Sequence, residues 1–400
     1  MIPPSKPGLP EVLVKTLDRA VERGILSVDQ RDAVLALEAG GSARLADRPI
    51  TSDAAHHSID EPMRLVSGGN DLFVTVGIAL LFAGGLFALS ALAPEAPILR
   101  TVILAAGLLI LAEIVTRQKR MRLASTVLAL GFTAMVTNGL VIWVVRRFDL
   151  GALDSLVEIL ALRSQATTIG LVIGGGGFLV ATLYFLRYRV PVLAAVAALT
   201  ATGLAFLFAL LFYYDGITGG AIAAPSPETV PDVLERALLV PLVCGGLIFA
   251  LAVMLDLHDR DRETIWSDCA FWLHVVSAPL LVHPLFILAT GQDVMLGRIE
   301  PEASASLMLG LLIGGFVLVA LAIDRRSLLA PTLAYFGSIG IYYLVNTAAN
   351  TTGIPPFALI LIAIGALVIL FGAGWQRIRR LIVGNLFPTS VLNALPPIKA

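Results

Sequence analysis

Charged side chains are scarce in this sequence. Asp, Glu, Lys and Arg make up 14% of the 400 residues, whereas 57% are hydrophobic and gather in repeated long runs. This composition excludes a soluble globular protein and is typical of a polytopic membrane protein. The formal net charge of −1 also gives no reason to expect a nucleic-acid partner.

Cysteine is almost absent as well. Cys244 and Cys269 are the only two, and both lie in or beside apolar runs. They form no disulfide framework or metal cluster, so the sequence predicts neither a metal nor another cofactor. No basic segment followed by an apolar one precedes the first membrane span, so we expect no cleavable signal peptide and assign targeting to that span.

What the sequence contains is a series of apolar runs, each about long enough to cross a bilayer. Ten spans would allow two inverted halves of five helices, but interrupted helices do not recur at matching positions, so the sequence does not support that repeat. We predict an all-α polytopic membrane protein of ten transmembrane helices: 72–93, 98–116, 123–145, 167–186, 190–214, 237–257, 269–290, 303–323, 328–346 and 354–374.

Basic residues fall in alternate loops, and this alternation predicts the orientation of the helices. The opposite loops are acidic and carry few basic residues. By the positive-inside rule, both termini are therefore cytoplasmic. The basic loops hold Arg117, Lys119, Arg120, Arg122, Arg187, Arg189, Arg260, Arg262, Arg325, Arg326, Arg377, Arg379 and Arg380.

The chain divides into four predicted parts: a cytoplasmic helical hairpin over 1–41, a flexible linker over 42–70, the transmembrane domain over 71–375 and an interfacial tail over 376–400. In the hairpin, helices are predicted over 11–23 and from Ser27 to about Ala39, and Ser27 and Gln30 form a capping box. We expect residues 11–39 to mediate homo-oligomerisation or to bind a protein partner. Acidic residues outnumber basic ones there, which opposes DNA binding.

Three shorter features carry no predicted catalytic or metal site. His56 and His57 lie in the linker without further ligands, so we interpret them as solvated residues rather than a metal site. Residues 154–163 are amphipathic and predict a short interfacial helix. In the last part of the chain, Trp375, Arg377, Arg379 and Arg380 are expected to anchor the tenth span at the cytoplasmic interface.

Glycines recur at helical spacing in two spans. Gly170, Gly174 and Gly177 in the fourth span, and Gly310 and Gly314 in the eighth, predict faces where helices pack closely. The run 174–177 is not a phosphate-binding loop, because no strand precedes it and no lysine follows it.

The seventh span is the strongest candidate for a polar site in the membrane. It carries His274 and His283, and its prolines Pro279 and Pro284 leave the carbonyls of Val275 and Leu280 without their helical donors. Nine residues separate the histidines, so they lie on opposite faces of a straight helix and do not form a simple metal pair. We expect neutral imidazoles, with the Leu280 carbonyl a candidate partner for His283.

Other polar residues inside spans are few. Glu113 precedes Arg117 by four residues, which predicts an intrahelical ion pair near the cytoplasmic end of the second span. Asn138 and Asn346 are expected to lie deeper in the bundle. With His274, His283, Pro279 and Pro284, these residues make up the candidate intramembrane site.

Several segments together resemble an uncharacterised bacterial family of multi-pass membrane proteins, known as a domain of unknown function. They are RGILSVDQRDAVLALE, SGGNDLFVTVGIALLFAGGLFAL, FWLHVVSAPLLVHPLF, GAGWQRIRRLIVGNLFP and a late LPP. The resemblance covers most of the chain. It implies a helical hairpin before the membrane domain and a bacterial inner-membrane location, but no activity and no site residue.

Two functional hypotheses follow. One is a transporter or permease whose pathway passes His274, Pro279 and His283. The other is a non-enzymatic scaffold or sensor that uses the hairpin to bind a partner. An enzyme would need a cluster of nucleophile, acid or metal ligands, which the sequence lacks, so we predict that the protein is not an enzyme.

Overall fold

A computed structural model describes residues 11–23, 26–38, 69–150, 162–226, 229–259, 262, 264–290, 303–329, 337, 356–388, 392 and 395. These residues form helices and turns, with no strand among them. The chain divides into two units, residues 1–62 and 63–400. Each unit is described separately.

The first unit is the predicted helical hairpin. Helix α1 is Glu11–Glu22 and helix α2 is Val28–Glu38. The predicted capping box is present, since the Ser27 amide donates to Gln30 Oε1 at 2.9 Å and the Gln30 amide donates to Ser27 Oγ at 3.2 Å. Arg31 joins the two helices by donating to Asp18 at 2.8 Å.

The second unit is a bundle of apolar helices. Leu, Ala, Val, Ile and Phe dominate their sequences, and a helix satisfies its own backbone groups where no water is available. In chain order they are α3 (Gly69–Leu92), α4 (Pro97–Ala112), α5 (Arg122–Arg147), α6 (Arg163–Tyr188), α7 (Val192–Thr218), α8 (Val230–Ala237), α9 (Leu239–His258), α10 (Ile265–Thr290), α11 (Ala303–Ile323) and α12 (Pro356–Leu386).

Within the described residues, seven helices are long and apolar enough to cross a membrane. They contain the first seven predicted spans, so the protein is an all-helical membrane protein. Helix α11 has the bounds predicted for the eighth span. The ninth predicted span falls almost wholly outside the described residues, as do the linker up to residue 68 and most of the predicted interfacial helix.

Helix α12 differs from the predicted tenth span at its end. It continues to Leu386 instead of stopping near Gly374. Trp375 and Arg379 are almost fully buried in this extension. They were predicted to anchor the helix at a membrane surface, and this was wrong for both side chains, because each packs against the end of α11.

Helix α10 is the central helix of the bundle. Half of the residues in its apolar stretch are buried, compared with at most 28% in the other six long helices. Its residues enter two hydrophobic clusters, one with α7 and α9 around Leu273, and one with α11 and α12 around Ala278. A third cluster is formed by the five helices from α3 through α7, and Trp272 of α10 packs against it. The seventh predicted span is therefore the helix against which α7, α9, α11 and α12 pack.

A buried carboxylate joins the first helices of this unit. Asp71, in the first turn of α3, is 2% exposed and accepts hydrogen bonds from the backbone amides of Leu123 and Ala124, both at 3.0 Å. These amides belong to the first turn of α5, where the helix has no internal acceptors. Asp71 thus caps a neighbouring helix.

The predicted glycine seam in α6 is confirmed. A Cβ atom at Gly170 would lie 1.8 Å from Leu207 Cδ2, and one at Gly174 would lie 2.7 Å from Leu204 Cδ2. Both leucines belong to α7, so α6 and α7 approach closely along this face. In α11, by contrast, a Cβ at Gly314 would meet nothing within 4 Å among the described residues, and the surroundings of Gly310 lie outside them. The face that carries Gly314 is not packed against a described helix.

Helices α9 and α10 also meet at a glycine. A Cβ atom at Gly245 would lie 2.9 Å from Leu280 Cβ, 3.0 Å from its carbonyl carbon and 3.2 Å from its carbonyl oxygen. Pro284 leaves that oxygen without its helical donor. Because backbone atoms cannot move aside as a side-chain end can, only glycine fits at this crossing.

We expect Gly245→Ala to destabilise the protein by about 1–3 kcal/mol, the usual cost of overpacking a close contact. Gly246→Ala is the matched control, because a Cβ there would meet nothing within 4 Å. Thermal unfolding of the two purified variants in detergent compares them directly. Equal midpoints for both variants would contradict the assigned contact.

Candidate functional site

The turn that ends α11 organises the polar residues of the bundle. Asp324 has a positive φ of 55°, and its amide donates to the Leu321 carbonyl at 3.3 Å. The Arg325 amide donates to the Ala320 carbonyl at 2.9 Å. This is a Schellman motif with aspartate in the position usually held by glycine. An aspartate in that conformation costs about 1–2 kcal/mol, so its side-chain contacts must compensate.

Arg325 points from this turn toward α9 and α10. It is 2% exposed, and its guanidinium donates to both carboxylate oxygens of Asp256, with Nε at 3.0 Å from each. Its Nη2 also donates to the Ser267 hydroxyl at 2.8 Å and carbonyl at 3.1 Å. A single side chain therefore connects the end of α9, the start of α10 and the end of α11.

His274 completes this group from α10. Its side chain is fully buried, and its Nε2 lies 2.9 Å from Asp256 Oδ2. Because Arg325 keeps Asp256 ionised, the carboxylate accepts and Nε2 carries the donated proton. The other ring nitrogen, Nδ1, is buried and has no hydrogen-bond partner among the described residues. Phe249 covers the ring edge-on, with centroids 5.4 Å apart.

The charges of this cluster balance when His274 is neutral. Asp256 contributes one negative charge and Arg325 one positive charge. A second proton on His274 would add a charge and leave a buried N–H without an acceptor, which costs free energy in a low-dielectric site. The cluster can therefore bind a proton only if water or a polar group reaches Nδ1.

A second cluster lies on the other side of the same turn. Asp324 Oδ1 accepts a hydrogen bond from Trp375 Nε1 at 2.6 Å, and its Oδ2 lies 3.8 Å from Arg379 and 3.7 Å from Arg262. Arg379 Nε donates to the Leu321 carbonyl at 2.9 Å. These arginines supply positive charge and donors to the C-terminal carbonyls of α11, which have no helical partners.

Arg262 supports the same helix end. Its Nη2 donates to the carbonyls of Ile323 at 3.3 Å and Asp324 at 2.8 Å. Arg262, Arg325 and Arg379 were all assigned to basic loops or interfaces by sequence. The structure adds that these side chains are not freely solvated, since Arg325 and Arg379 are buried and Arg262 is mostly buried.

Glu113 forms a separate contact between α4 and α6. It pairs with Arg117, as predicted, within a π-helical segment, Glu113–Gln118, that continues α4. It also accepts hydrogen bonds from Arg187 at 3.0 Å and from Tyr188 at 3.1 Å. The predicted intrahelical pair is therefore part of a contact that joins two helices.

The structure does not gather the predicted site residues into one place. His274 lies in the buried cluster, whereas Pro279 is exposed on the helix surface, and the pathway predicted past His274, Pro279 and His283 stays a prediction. His283 is half-buried and lies about 13.5 Å along the axis from His274. Pro284 is buried. The hydrogen bond predicted from His283 to Leu280 stays a prediction.

The predictions for the two asparagines have different outcomes. Asn138 was expected deep in the bundle, but it is exposed on α5. The reason is that the buried face of α5 is formed by other residues, among them Ala124, Leu128 and Thr133. Asn346 lies outside the described residues.

Sequence reasoning missed the partners of His274. Asp256 sits near the end of an apolar helix, and an aspartate there is itself a signal of a functional or paired group. Arg325 was counted only as a basic loop residue, because the positive-inside rule does not distinguish exposed from buried arginines. Among the described residues, no three His, Cys, Asp or Glu side chains are arranged to hold a metal ion.

Comparison of the chain with protein-family models, with curated proteins and with solved structures finds no match. The site must therefore be interpreted from its own geometry.

We expect Asp256→Asn to destabilise the protein by about 3–5 kcal/mol, because it leaves the buried Arg325 without its counter-charge. The double variant Asp256→Asn with Arg325→Gln should recover part of this loss. The exposed pair of Arg163 and Asp215 provides the control, since solvent screens it and Arg163→Gln should lower the unfolding midpoint far less than Asp256→Asn does. Thermal unfolding in detergent measures all three. An additive double variant would show that the two residues do not depend on each other.

Proposed function

We propose that the chain is a ten-span bacterial inner-membrane protein with both termini in the cytoplasm. The seven long apolar helices and the apolar α11 and α12 support this count. The C-terminal end of α11 contacts Trp375 and Arg379 in the C-terminal half of α12, so the two helices run in the same direction. Two such helices require one crossing between them, which is the predicted ninth span.

The orientation is supported by where the charged contacts fall. Glu113, Arg187, Asp256, Arg325 and Arg379 all belong to one end of the bundle, as their contacts and the short turns between helices require. Most of the basic loops lie at this end, and the positive-inside rule assigns them to the cytoplasm.

We further propose that the protein is a proton-coupled permease, with Asp256, His274 and Arg325 as the coupling group. The observation that carries this proposal is the buried His274, which has one nitrogen bonded to a carboxylate and the other without a hydrogen-bond partner in the described part of the chain. Ionisable groups inside membrane helices commonly serve as proton relays. Protonation of Nδ1 would favour a state in which water reaches the cluster, and so couple a proton to a change in conformation.

The position of His274 supports such coupling. Helix α10 contributes to the packing of most of the bundle, and two of its backbone carbonyls are released by prolines. The missing hydrogen bonds allow a membrane helix to bend at its prolines. A change at His274 would therefore reach α9, α11 and α12.

The test is proton movement into liposomes that contain the purified protein. We expect a pH-dependent flux in wild type that falls to background in His274→Gln, because glutamine cannot take up a proton. His258→Gln is the matched control, since His258 is exposed at the end of α9. Flux that persists in His274→Gln would show that His274 is not the coupling group. Absence of flux in wild type would contradict proton transport itself.

A second proposal concerns the hairpin. None of its described side chains is buried, and the apolar Leu17, Val21, Val34 and Leu35 are only half-buried. A pair of helices this short cannot bury enough apolar surface to form its own stable core. Contact with a second copy or another protein would supply the missing burial.

We expect deletion of residues 11–39 to reduce the mass of the assembly in detergent, measured by light scattering with the detergent contribution subtracted. The control is Arg23→Gln, which changes an exposed charge without altering the helices. An unchanged number of subunits after the deletion would argue against a role in self-association. The hairpin would then be expected to bind a different protein.

A further inference from the structure

A groove with a volume of about 490 Å³ lies among α6, α7, α9 and α10. This volume is within the range of sites that bind small molecules. Its walls come from four of the helices that are long and apolar enough to cross a membrane, so its surroundings are hydrocarbon. It is separate from the buried cluster of Asp256, His274 and Arg325, none of which lines it.

Small residues on α7 create the space. Ala194, Ala197, Ala198 and Ala201 follow one another at helical spacing along the groove. Larger side chains from the neighbouring helices frame it, and Phe185 of α6 meets Trp266 of α10 with ring centroids 6.3 Å apart. One wall of the groove is therefore formed by small alanine side chains, and one edge is formed by two aromatic rings.

The groove has a closed floor and an open side. Leu193, Cys269 and Leu273 on its floor are at most 3% exposed. On its rim, Leu247 is 67% exposed and Leu251 is 47% exposed. An occupant would consequently enter sideways from the membrane.

The chemistry of the lining selects an apolar occupant. Thr182 donates its hydroxyl to the Phe178 carbonyl at 2.8 Å, and Thr202 donates to the Ala198 carbonyl at 2.9 Å. Both hydroxyl protons are thus used within their own helices. The other lining residues are hydrocarbon, aromatic or thiol side chains, which favour a hydrocarbon chain.

One end of the groove carries an arginine. Arg189 occupies the turn between α6 and α7, four residues from both Phe185 and Leu193, and it lies near Cys269. Asp268 is also near Cys269, but it has an interaction of its own. Arg189 is exposed; its amide donates to the Phe185 carbonyl at 2.8 Å, and no hydrogen bond or ion pair joins its guanidinium to the described residues. Its charge is available to an anion at the membrane surface.

We propose that the groove binds an acyl chain of an anionic phospholipid, with the headgroup phosphate at Arg189. The apolar lining accounts for the chain, the open rim for its entry from the bilayer, and Arg189 for the preference for negative charge. This site depends on the membrane location of the four helices and not on proton transport.

The experiment uses the full-length protein in liposomes with a photoreactive phospholipid that carries a diazirine on its acyl chain. Phosphatidylglycerol and phosphatidylcholine versions are compared, and the labelled peptides are identified by mass spectrometry. We expect labelling of α7 and α9 along the groove to exceed that of the exposed face of α3 at Phe73 and Leu81. Phosphatidylglycerol should label the groove about fivefold more than phosphatidylcholine, as expected for one arginine at a membrane surface.

Variants test the acyl-chain site and the role of Arg189 separately. Ala201→Phe should reduce labelling of the groove by both lipids, because it fills the space, whereas Ala79→Phe on the exposed face of α3 should not. Arg189→Gln should remove the preference for phosphatidylglycerol, and Arg189→Lys should keep it. Groove labelling equal to that of α3 would overturn the site, and equal labelling by the two lipids in wild type would overturn the role of Arg189.

Discussion

The end of α11 is held by two adjacent residues of opposite charge. Asp324 contacts Trp375 and Arg379 of α12, and Arg325 contacts Asp256 of α9 and Ser267 of α10. Each buried charge loses several kcal/mol of hydration. The arrangement is stable only because every one of these charges has an opposite charge or several hydrogen bonds beside it. Four helices are thereby fixed relative to one short turn.

This turn gives the basic residues a second role. Arginines beside membrane spans influence the direction in which a chain inserts. In the folded protein, Arg262 and Arg379 donate to the carbonyls that end α11, and Arg325 neutralises Asp256. The same charges from which the positive-inside rule predicts the orientation therefore stabilise the packing of the folded protein. The Arg189 guanidinium has no such partner among the described residues, and we propose a lipid headgroup as its partner.

His274 is the one histidine in these clusters, and it joins them through Asp256. Its contact with Asp256 depends on Arg325, because the arginine keeps the carboxylate ionised and fixes the proton on Nε2. The free energy of adding a proton is consequently linked to the packing of α9, α10 and α11. A histidine buried among apolar side chains has no ionised partner. His274 differs because it contacts the ionised Asp256.

The sequence by itself determined the class of the protein and the positions of its helices. Apolar runs of sufficient length and the capping pair Ser27 and Gln30 depend on neighbours close in the chain, so the first seven spans and the hairpin were predictable. The glycine seam of α6 was also predictable, since close packing needs only a small residue at regular spacing. Only the tertiary structure decided which polar residues meet. Asp256 and Arg325 are 69 residues apart, and their pairing depends on how α9, α10 and α11 pack, which local spacing does not encode. For the same reason, Asn138 and Gly314 could not be assigned to a buried face from sequence. The spacing of a helix defines its faces, but the neighbouring helices determine which face is covered.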